Sequence, residues 1–261
     1  MSKATFRFYA ELNDFLPVPR RQIAFDYLFS QTPSAKDAIE ACGVPHTEVD
    51  LILANGCSVD FNCQVQNGDY LSIYPVFESL DLTPLLKIRP QPLREIRFVL
   101  DIHLGKLATY LRLLGFDTLY SNQYSDPELA EISSRGGRIL LTRDRGLLKR
   151  SCVTHGYCLR NHQPELQVRE ILQRFDLYRL ATPFQRCLGC NGLVGPVEKR
   201  EVESLLPPRT RLLFEKYYQC SHCGKAYWEG SHYKQMATQV SQWLEGKTAG
   251  VDTSRNSCSD E

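Results

Sequence analysis

Short apolar runs that each end on an acid mark the middle of the chain. The run Phe98–Leu100 is followed by Asp101, and the run Ile139–Arg143 is followed by Asp144. Bounded runs of this length are typical of buried strands in a parallel sheet. Between them, Asp117–Tyr120 predicts a further strand.

Helical patterns separate these strands. Apolar residues at helical spacing predict a helix after the first strand, ended by Gly115: Leu104, Leu107, Ala108, Leu111 and Leu114. A capping box with an early proline predicts a second helix from Ser125. Alternating strands and helices predict an α/β fold with a parallel sheet, whose ligands bind beyond the carboxyl ends of the strands. We therefore expect Asp101, Asp126 and Asp144 at one edge of that sheet.

Three carboxylates at one edge repel one another unless a cation is bound there. Hard divalent cations such as Mg²⁺ and Mn²⁺ prefer oxygen ligands, and they can activate water and offset charge on a phosphate under attack. Surrounding basic residues favour a polyanionic substrate. The candidates for binding it are Lys106, Arg112, Arg143 and Arg145. This pattern indicates a metal-dependent phosphodiesterase that acts on nucleic acid.

The same acids also have structural interpretations. The motif around Asp126 is an ordinary helix start, so capping is an alternative role for that residue. Asp144 is in position to cap a helix that begins at Arg145. Asp101 is harder to explain in this way, since a carboxylate after an apolar strand gains nothing from the core.

This segment resembles the PIN-like RNase domain called the Mut-seven C-terminal domain. The resemblance is carried by RFVLDIHLGKLATYLRLLGFD, by ILLTRDRGLL and by SDPELAEI between them. It implies a PIN-like parallel sheet with flanking helices over residues 96–182. It also implies that Asp101, Asp126 and Asp144 bind Mg²⁺ or Mn²⁺ and hydrolyse RNA. Gly146 stands where some relatives carry a fourth acid, which leaves this site one carboxylate short.

Residues 1–80 predict a separate β-grasp domain. Four strands are predicted: Ala4–Ala10, Ile23–Tyr27, Val49–Ala54 and Tyr70–Pro75. A short helix, capped by Ser34 and ended by Gly43, falls between the second and third. The unit resembles ubiquitin-like sulfur carriers such as ThiS and MoaD, most clearly in DLILANGCSVDF and VQNGDYLSIYPVF. Those carriers end in a free Gly-Gly tail, which this domain lacks, so we expect a protein-interaction module.

Composition and charge limit the remaining possibilities. The 261 residues allow several small domains, and no apolar run is long enough to cross a membrane. The first residues do not follow the pattern of a signal peptide, so we expect a cytoplasmic protein. Residues 96–182 carry 13 Lys and Arg against 9 Asp and Glu, which places positive charge where RNA is expected. Three prolines in residues 81–95 predict an extended linker.

Four of the ten cysteines form two Cys-x-x-Cys knuckles: Cys187, Cys190, Cys220 and Cys223. Four thiolates favour Zn²⁺ in a closed, structural site, so residues 183–244 predict a zinc ribbon. The interval between the knuckles, 29 residues (191–219), is longer than usual and predicts an insert that forms a loop or short helix. Two unrelated redox pairs, or a ligand from His222 or His232, are the alternatives. The resemblance also implies a ribbon here.

Aromatic residues lie just past the second knuckle, in Tyr227–Tyr233. They are suited either to stacking with bases or to the small core that a ribbon needs. Residues 245–261 have the composition of a disordered tail.

Three functions remain open from the sequence. The first is a metal-dependent ribonuclease whose β-grasp and zinc-ribbon domains position the substrate or a partner. The second is a non-catalytic RNA-binding or adaptor protein that keeps the PIN-like fold. The third is a sulfur-transfer component, against which the missing Gly-Gly tail argues.

Overall fold

The computed structural model describes residues 1–75 and 95–245. These residues form two compact units, one from 1–75, 95–108 and 118–162 and the other from 109–117 and 163–245. The predicted linker at 81–95 lies outside the described residues apart from Glu95. The predicted tail at 245–261 lies outside them apart from Glu245.

A five-stranded sheet opens the first unit. Its strands are β1 (Ser2–Phe8), β2 (Phe25–Phe29), β3 (Val49–Ala54), β4 (Cys57–Val59) and β5 (Tyr70–Pro75). They lie in the order β2-β1-β5-β3-β4, with β1 antiparallel to β2 and parallel to β5. One helix, α1 (Ala35–Ala41), lies between β2 and β3 in the chain. This is the predicted β-grasp arrangement.

The second strand lies at Phe25–Phe29 instead of the predicted Ile23–Tyr27, and β4 was not predicted. Local chemistry explains the other elements. Alternate residues of β1 are buried, among them Phe6 and Phe8. The hydroxyl of Ser34 accepts a hydrogen bond from the backbone N–H of Asp37 at 3.1 Å and caps α1 as predicted. β1 ends earlier than its predicted end, because Ala10 has a φ of 46° and begins a tight helical turn.

A second sheet completes the first unit. In chain order its elements are β6 (Arg97–Leu100), α2 (Gly105–Leu113), β7 (Asp117–Tyr120), α3 (Asp126–Gly136), β8 (Ile139–Thr142), α4 (Arg145–Leu148) and β9 (Gly156–Cys158). The strand order is β7-β6-β8-β9, and β8 is parallel to both β6 and β9. All four residues of β8 are buried, as expected for a strand covered on both faces. The predicted parallel sheet with flanking helices is confirmed.

The end of α2 follows the predicted pattern. Its apolar positions Leu107, Ala108 and Leu111 are fully buried. Gly115 then ends the helix with a φ of +93°, which L-residues with a side chain rarely adopt. A Cβ on Gly115 would also lie 2.1 Å from the carbonyl oxygen of Thr182, so only glycine fits at this position.

The two sheets of the first unit share one hydrophobic core. Buried side chains of the β-grasp domain, such as Phe6 of β1 and Ile39 of α1, belong to the same cluster as Val99 and Leu140 of the parallel sheet and Leu148 of α4. The β-grasp domain is therefore packed into the unit that carries the predicted acids.

An ion pair lies within this shared core. Glu48 is completely buried, and its carboxylate lies 3.0 Å from the guanidinium of Arg160. The same carboxylate accepts a hydrogen bond from the backbone N–H of Cys158. Burial disfavours the charged guanidinium, but the neighbouring Glu48 raises the pKa of Arg160 above its ordinary value.

Replacing Glu48 by alanine is expected to lower the free energy of unfolding by about 3–5 kcal/mol. The reason is that the Arg160 guanidinium and the backbone N–H of Cys158 both lose their buried acceptor. Urea denaturation measures this loss. The matched control is Asp26→Ala, which removes an exposed pair with Lys3 whose side chains are 54% and 56% accessible. That variant should lose no more than about 1 kcal/mol. Equal losses in the two variants would contradict the importance of the buried pair.

The second unit begins with helices and ends in a small antiparallel sheet. After α5 (Pro164–Arg174) its elements are β10 (Val194–Val197), α6 (Lys199–Val202), α7 (Pro208–Leu213), β11 (Tyr217–Cys220), β12 (Ala226–Trp228) and α8 (Ser231–Glu245). The three strands lie in the order β10-β11-β12. The long interval between the two knuckles was predicted to form a loop or short helix; it contains short helices, but also β10 and most of β11. The buried centre of this sheet and its short helices consists of Val202, Leu206 and Tyr217.

Among the described residues, no helix combines the length and the hydrophobicity needed to span a lipid bilayer.

Candidate functional site

Two acids follow neighbouring strands of the parallel sheet. Asp101 comes directly after β6, and Asp144 comes two residues after β8. The two strands are parallel, with Leu100 paired to Leu141, so both acids lie at the carboxyl edge. The backbone N–H of Asp101 continues the pairing by donating to the carbonyl oxygen of Leu141 at 3.1 Å. The edge location that the alternating pattern predicts is present.

Thr142, the last residue of β8, connects the two acids. Its hydroxyl donates to Oδ2 of Asp101 at 2.6 Å and accepts from the backbone N–H of Asp144 at 2.9 Å. Thr142 is fully buried. The hydroxyl therefore fixes the orientation of the Asp101 carboxylate relative to the backbone at Asp144. Sequence reasoning missed this residue, although a polar residue at the end of an apolar strand was a signal.

Both acids also cap short helical segments. Oδ1 of Asp101 accepts from the backbone N–H of Ile102 at 2.6 Å, at the start of a single turn. Oδ1 of Asp144 accepts from the backbone N–H of Gly146 at 2.7 Å and caps α4. The capping interpretation of Asp144 is confirmed, and Asp101 has a structural contact that the sequence did not suggest. Each cap engages one oxygen, which holds the carboxylate in a fixed direction.

Asp126 stands apart from these contacts. It is the first residue of α3 and is exposed. The cap of α3 is Ser125, whose backbone N–H donates to the Glu128 carboxylate at 2.7 Å in a capping box. Hydrogen bonds from Ser125 lower the pKa of Glu128. The cap is thus complete without the Asp126 carboxylate, which faces solvent.

The three carboxylates do not meet at coordination distance. Within residues 1–75 and 95–245, the knuckle cysteines are the one group of three or more possible ligands whose donor atoms all lie within 4.8 Å of one another. We call the carboxyl edge of the parallel sheet, with Asp101 and Asp144, the acid edge. It therefore offers separate oxygen donors. A cation there would be held in part through water, as Mg²⁺ commonly is.

Three of the four predicted substrate-binding cations are exposed in the first unit: Lys106, Arg143 and Arg145. The guanidinium of Arg143 lies 2.8 Å from Nε2 of His162. The guanidinium of Arg145 donates to the carbonyl oxygen of Phe15 at 3.3 Å and lies 4.9 Å from the centre of the Phe15 ring. The β-grasp domain therefore contacts the residue next to Asp144 directly.

Arg112 has a different environment. Its side chain is only 5% exposed, in the second unit. The guanidinium donates to the carbonyl oxygens of Leu188 and Gly189 at 3.1 and 2.9 Å, both within the first cysteine knuckle. Arg112 is thus bonded to the knuckle backbone instead of facing solvent, which sets it apart from the other three cations.

The four knuckle cysteines form a compact cluster in the second unit. The sulfur atoms of Cys187 and Cys223 are 3.6 Å apart, and those of Cys190 and Cys220 are 3.4 Å apart. Tetrahedral zinc with bonds of about 2.3 Å requires sulfurs about 3.8 Å apart. All four thiols are free of disulfides. The cluster is therefore able to hold a metal ion such as zinc without a histidine ligand.

Neighbouring groups tune the thiols of the cluster. Burial would raise the pKa of the Cys187 thiol, but hydrogen bonds from the Tyr227 hydroxyl and from backbone N–H groups of the knuckle lower it to about 6. Burial and the adjacent sulfurs raise the pKa of Cys190 to about 12. Gly192 allows the close packing, since a Cβ there would lie 2.8 Å from the sulfur of Cys220. The Cys187 thiol is thus easier to deprotonate than the Cys190 thiol.

Comparison with known families gives two matches. The model described as Mut7-C ubiquitin matches residues 1–81, and the model described as Mut7-C RNAse domain matches residues 96–240. The second match covers more than half of the chain and includes the acid edge and all four knuckle cysteines. Comparison with curated proteins and with solved structures gave no match.

Proposed function

Because the chain belongs to the Mut7-C RNAse domain family, we propose that it is a metal-dependent ribonuclease with an active site at the acid edge. Asp101, Asp126 and Asp144 are its proposed catalytic carboxylates. The observation that supports this most strongly is the hydrogen-bonded link from Asp101 through Thr142 to Asp144 across adjacent parallel strands.

The donor set at this edge suits a hard divalent cation. Carboxylate and water oxygens are the ligands that Mg²⁺ and Mn²⁺ prefer. Such an ion, when bound, would activate water and offset the charge of the scissile phosphate. Asp101 and Asp144 would hold it from directions fixed by their caps. Asp126, exposed at the start of α3, would complete the shell or orient water.

The exposed cations supply the proposed contacts with RNA. Lys106, Arg143 and Arg145 are exposed and would pair with phosphate oxygens, which arginine does in a bidentate manner. Phe15 holds Arg145 from the β-grasp side through its carbonyl oxygen and its ring. The β-grasp domain would thus orient one RNA-binding residue, and its remaining surface would be free for a protein partner.

The cysteine cluster has a separate role in this proposal. A closed Cys₄ site has no open position for substrate, so a zinc ion there would be structural. It would hold together β10, β11 and β12, whose own buried centre is small.

A second function has one observation in its favour. Among the described residues the three carboxylates do not form a ligand cluster of the kind that the knuckle cysteines form, and Gly146 leaves the site without a fourth acid. A non-catalytic RNA-binding protein would have the same basic residues without efficient cleavage. The two functions differ in whether RNA is cut when a divalent ion is supplied.

Cleavage of a panel of labelled single-stranded and structured RNAs tests the proposal. With Mg²⁺ or Mn²⁺ the wild-type chain should produce fragments, and EDTA should prevent this. Returning Mg²⁺ alone should restore cleavage, which separates the acid edge from the cysteine cluster. Asp144→Asn should cut at least about a hundredfold more slowly, because it removes a charged ligand. Asp26→Asn, on the exposed β-grasp surface, is the control and should cut normally.

Two outcomes would contradict the nuclease. Fragments that persist with EDTA would exclude a divalent ion from the reaction. Binding of RNA without fragments under any metal condition would favour the non-catalytic function.

A further inference from the structure

A cavity lined by aromatic rings lies in the second unit, beside the cysteine cluster. Its volume is about 310 Å³. Five rings contribute to its wall: Phe184, Tyr218, Tyr227, Trp228 and Tyr233. All five side chains are partly exposed, so their ring surfaces are accessible from solvent. We call this space the ribbon cavity.

The ribbon cavity is more than a by-product of the small core. The core of the ribbon consists of Val202, Leu206 and Tyr217, and Trp228 is one of the partly buried side chains that pack against it. Tyr218 and Tyr233 do not belong to that core, although they line the cavity. Of the aromatic residues just past the second knuckle, Trp228 therefore contributes to both the core and the cavity wall, whereas Tyr233 lines the cavity without packing against that core.

One wall of the cavity carries backbone strain. Phe184 has a φ of 66°, a conformation that a bulky residue rarely adopts. It is held there by a hydrogen bond from its backbone N–H to the carbonyl oxygen of Leu113 at 2.9 Å. Its ring lies 4.5 Å from that of Tyr233, at 38°. Strained residues of this kind cluster at binding sites, where they place a side chain that a relaxed backbone would not.

The size and polarity of the cavity suit a planar ring. Ligand sites usually measure roughly 300–1,000 Å³, so the ribbon cavity is at the small end of that range. Its aromatic walls offer faces for stacking, while Gln185 and the Glu229 carboxylate offer polar atoms at the edge. The hydroxyl of Tyr218 donates to Glu229 at 3.2 Å and holds that carboxylate in place. A nucleobase has both features, a flat face and amino groups at its rim.

The charge of the segment that supplies most of the cavity wall favours a base that is attached to phosphates. Residues 183–235 carry 8 Lys and Arg against 5 Asp and Glu. The ammonium group of Lys225 lies 5.7 Å from the ring of Tyr227, and Lys234 is exposed next to Tyr233. These cations can pair with the backbone of a nucleic acid whose base lies in the cavity.

We propose that the ribbon cavity binds one unstacked nucleobase of single-stranded RNA, by stacking on Tyr233 and its neighbouring rings. The inference rests on the proposed ribonuclease function only for the identity of the polymer as RNA. The ribbon would therefore prefer unpaired segments of RNA, since a base in a duplex is not free to enter the cavity.

Binding of labelled oligonucleotides to the full chain tests this proposal. Asp101→Asn serves as the background, so that no probe is cut. In that background Tyr233→Leu should bind single-stranded oligoadenylate about tenfold more weakly, in line with the loss of one stacking platform. Tyr233→Phe keeps the ring and should bind normally. Tyr70→Leu removes an exposed tyrosine from the β-grasp sheet and should also bind normally.

An abasic strand of the same length identifies what the cavity recognises. It retains the phosphates, so Tyr233→Leu should leave its affinity unchanged. Equal weakening for both strands would overturn base binding in favour of a general loss of affinity. No weakening for either strand would overturn the proposal and leave the cavity as a surface for another class of partner.

Tryptophan fluorescence gives a second readout. The chain has two tryptophans, so Trp243→Phe leaves Trp228, in the cavity wall, as the single emitter. Saturable quenching by oligoadenylate is expected, and its absence would count against base entry. Cleavage by the wild-type chain, measured in parallel, separates the two proposals. If Tyr233→Leu cuts RNA as fast as the wild-type chain and binds it as tightly, the base site alone is overturned. If binding depends on the base but no RNA is cut, the nuclease alone is overturned.

Discussion

Cleavage of RNA is expected to slow about a thousandfold when Asp101 is replaced by asparagine. The substitution removes the negative charge of a proposed metal ligand. Metal-assisted stabilisation of a phosphate under attack is worth several kcal/mol, and a thousandfold loss of rate corresponds to about 4 kcal/mol. Single-turnover cleavage at saturating enzyme measures the loss on the chemical step itself.

The fold should be nearly unaffected by this substitution. An asparagine keeps an oxygen that can accept from the backbone N–H of Ile102, so the cap after β6 survives. The amide N–H of the asparagine can also donate to the Thr142 hydroxyl, which then accepts from residue 101 instead of donating to it. We therefore expect a change in unfolding free energy below about 1 kcal/mol and an RNA affinity close to that of wild type.

Asp126→Asn provides a graded comparison. Asp126 is exposed at the start of α3 and is not part of the link through Thr142, so its loss should slow cleavage less than the loss of Asp101. If the Asp101→Asn protein cut RNA at the parent rate, the active site would have been assigned to the wrong edge. If Asp126→Asn were the more damaging change, the ion would lie nearer to α3 than we propose.

The position of the acids could be predicted because it follows from local patterns. An apolar run such as Phe98–Leu100 can only be buried, and alternation with helices makes the sheet parallel. Parallel strands then bring Asp101 and Asp144 to the same edge whatever the details of packing. The connection through Thr142 was not accessible in this way, because it depends on the register between β6 and β8.

The environments of several charged residues could not be predicted. Arg112 lies on a helix, where an arginine usually faces water, yet it is buried against the backbone of the first knuckle. Glu48 and Arg160 form their pair across 112 positions of sequence. Such contacts arise from tertiary packing, and neither periodicity nor residue spacing encodes them.

The shared core changes how the β-grasp domain is understood. Its sequence suggested a module tethered by a linker, but its buried residues belong to the same cluster as those of the parallel sheet. Phe15 also contacts Arg145, the neighbour of Asp144. A partner that binds the β-grasp surface would therefore act on a domain that already orients part of the proposed active site.

Serine at both Cys187 and Cys220 is expected to abolish the proposed zinc binding and to unfold the predicted ribbon at residues 183–244. Structural zinc contributes about 10–16 kcal/mol to the folding of isolated zinc fingers. The buried centre of the ribbon, Val202, Leu206 and Tyr217, is too small to replace a contribution of that size. Wild-type protein purified without chelator should contain about one equivalent of zinc per chain, and the double variant should contain none.

Metal analysis by mass spectrometry measures this loss, and protease sensitivity of residues 183–244 measures the unfolding. Cys57→Ser and Cys152→Ser, at exposed free cysteines, are the controls and should keep the zinc. Acid should release it from the wild-type chain, because protons compete with the metal for the thiolates. Protein that holds no zinc, yet resists proteolysis in this region, would show that the knuckles fold through their own contacts. The hydrogen bond from Tyr227 to Cys187 would then be the first of these to examine.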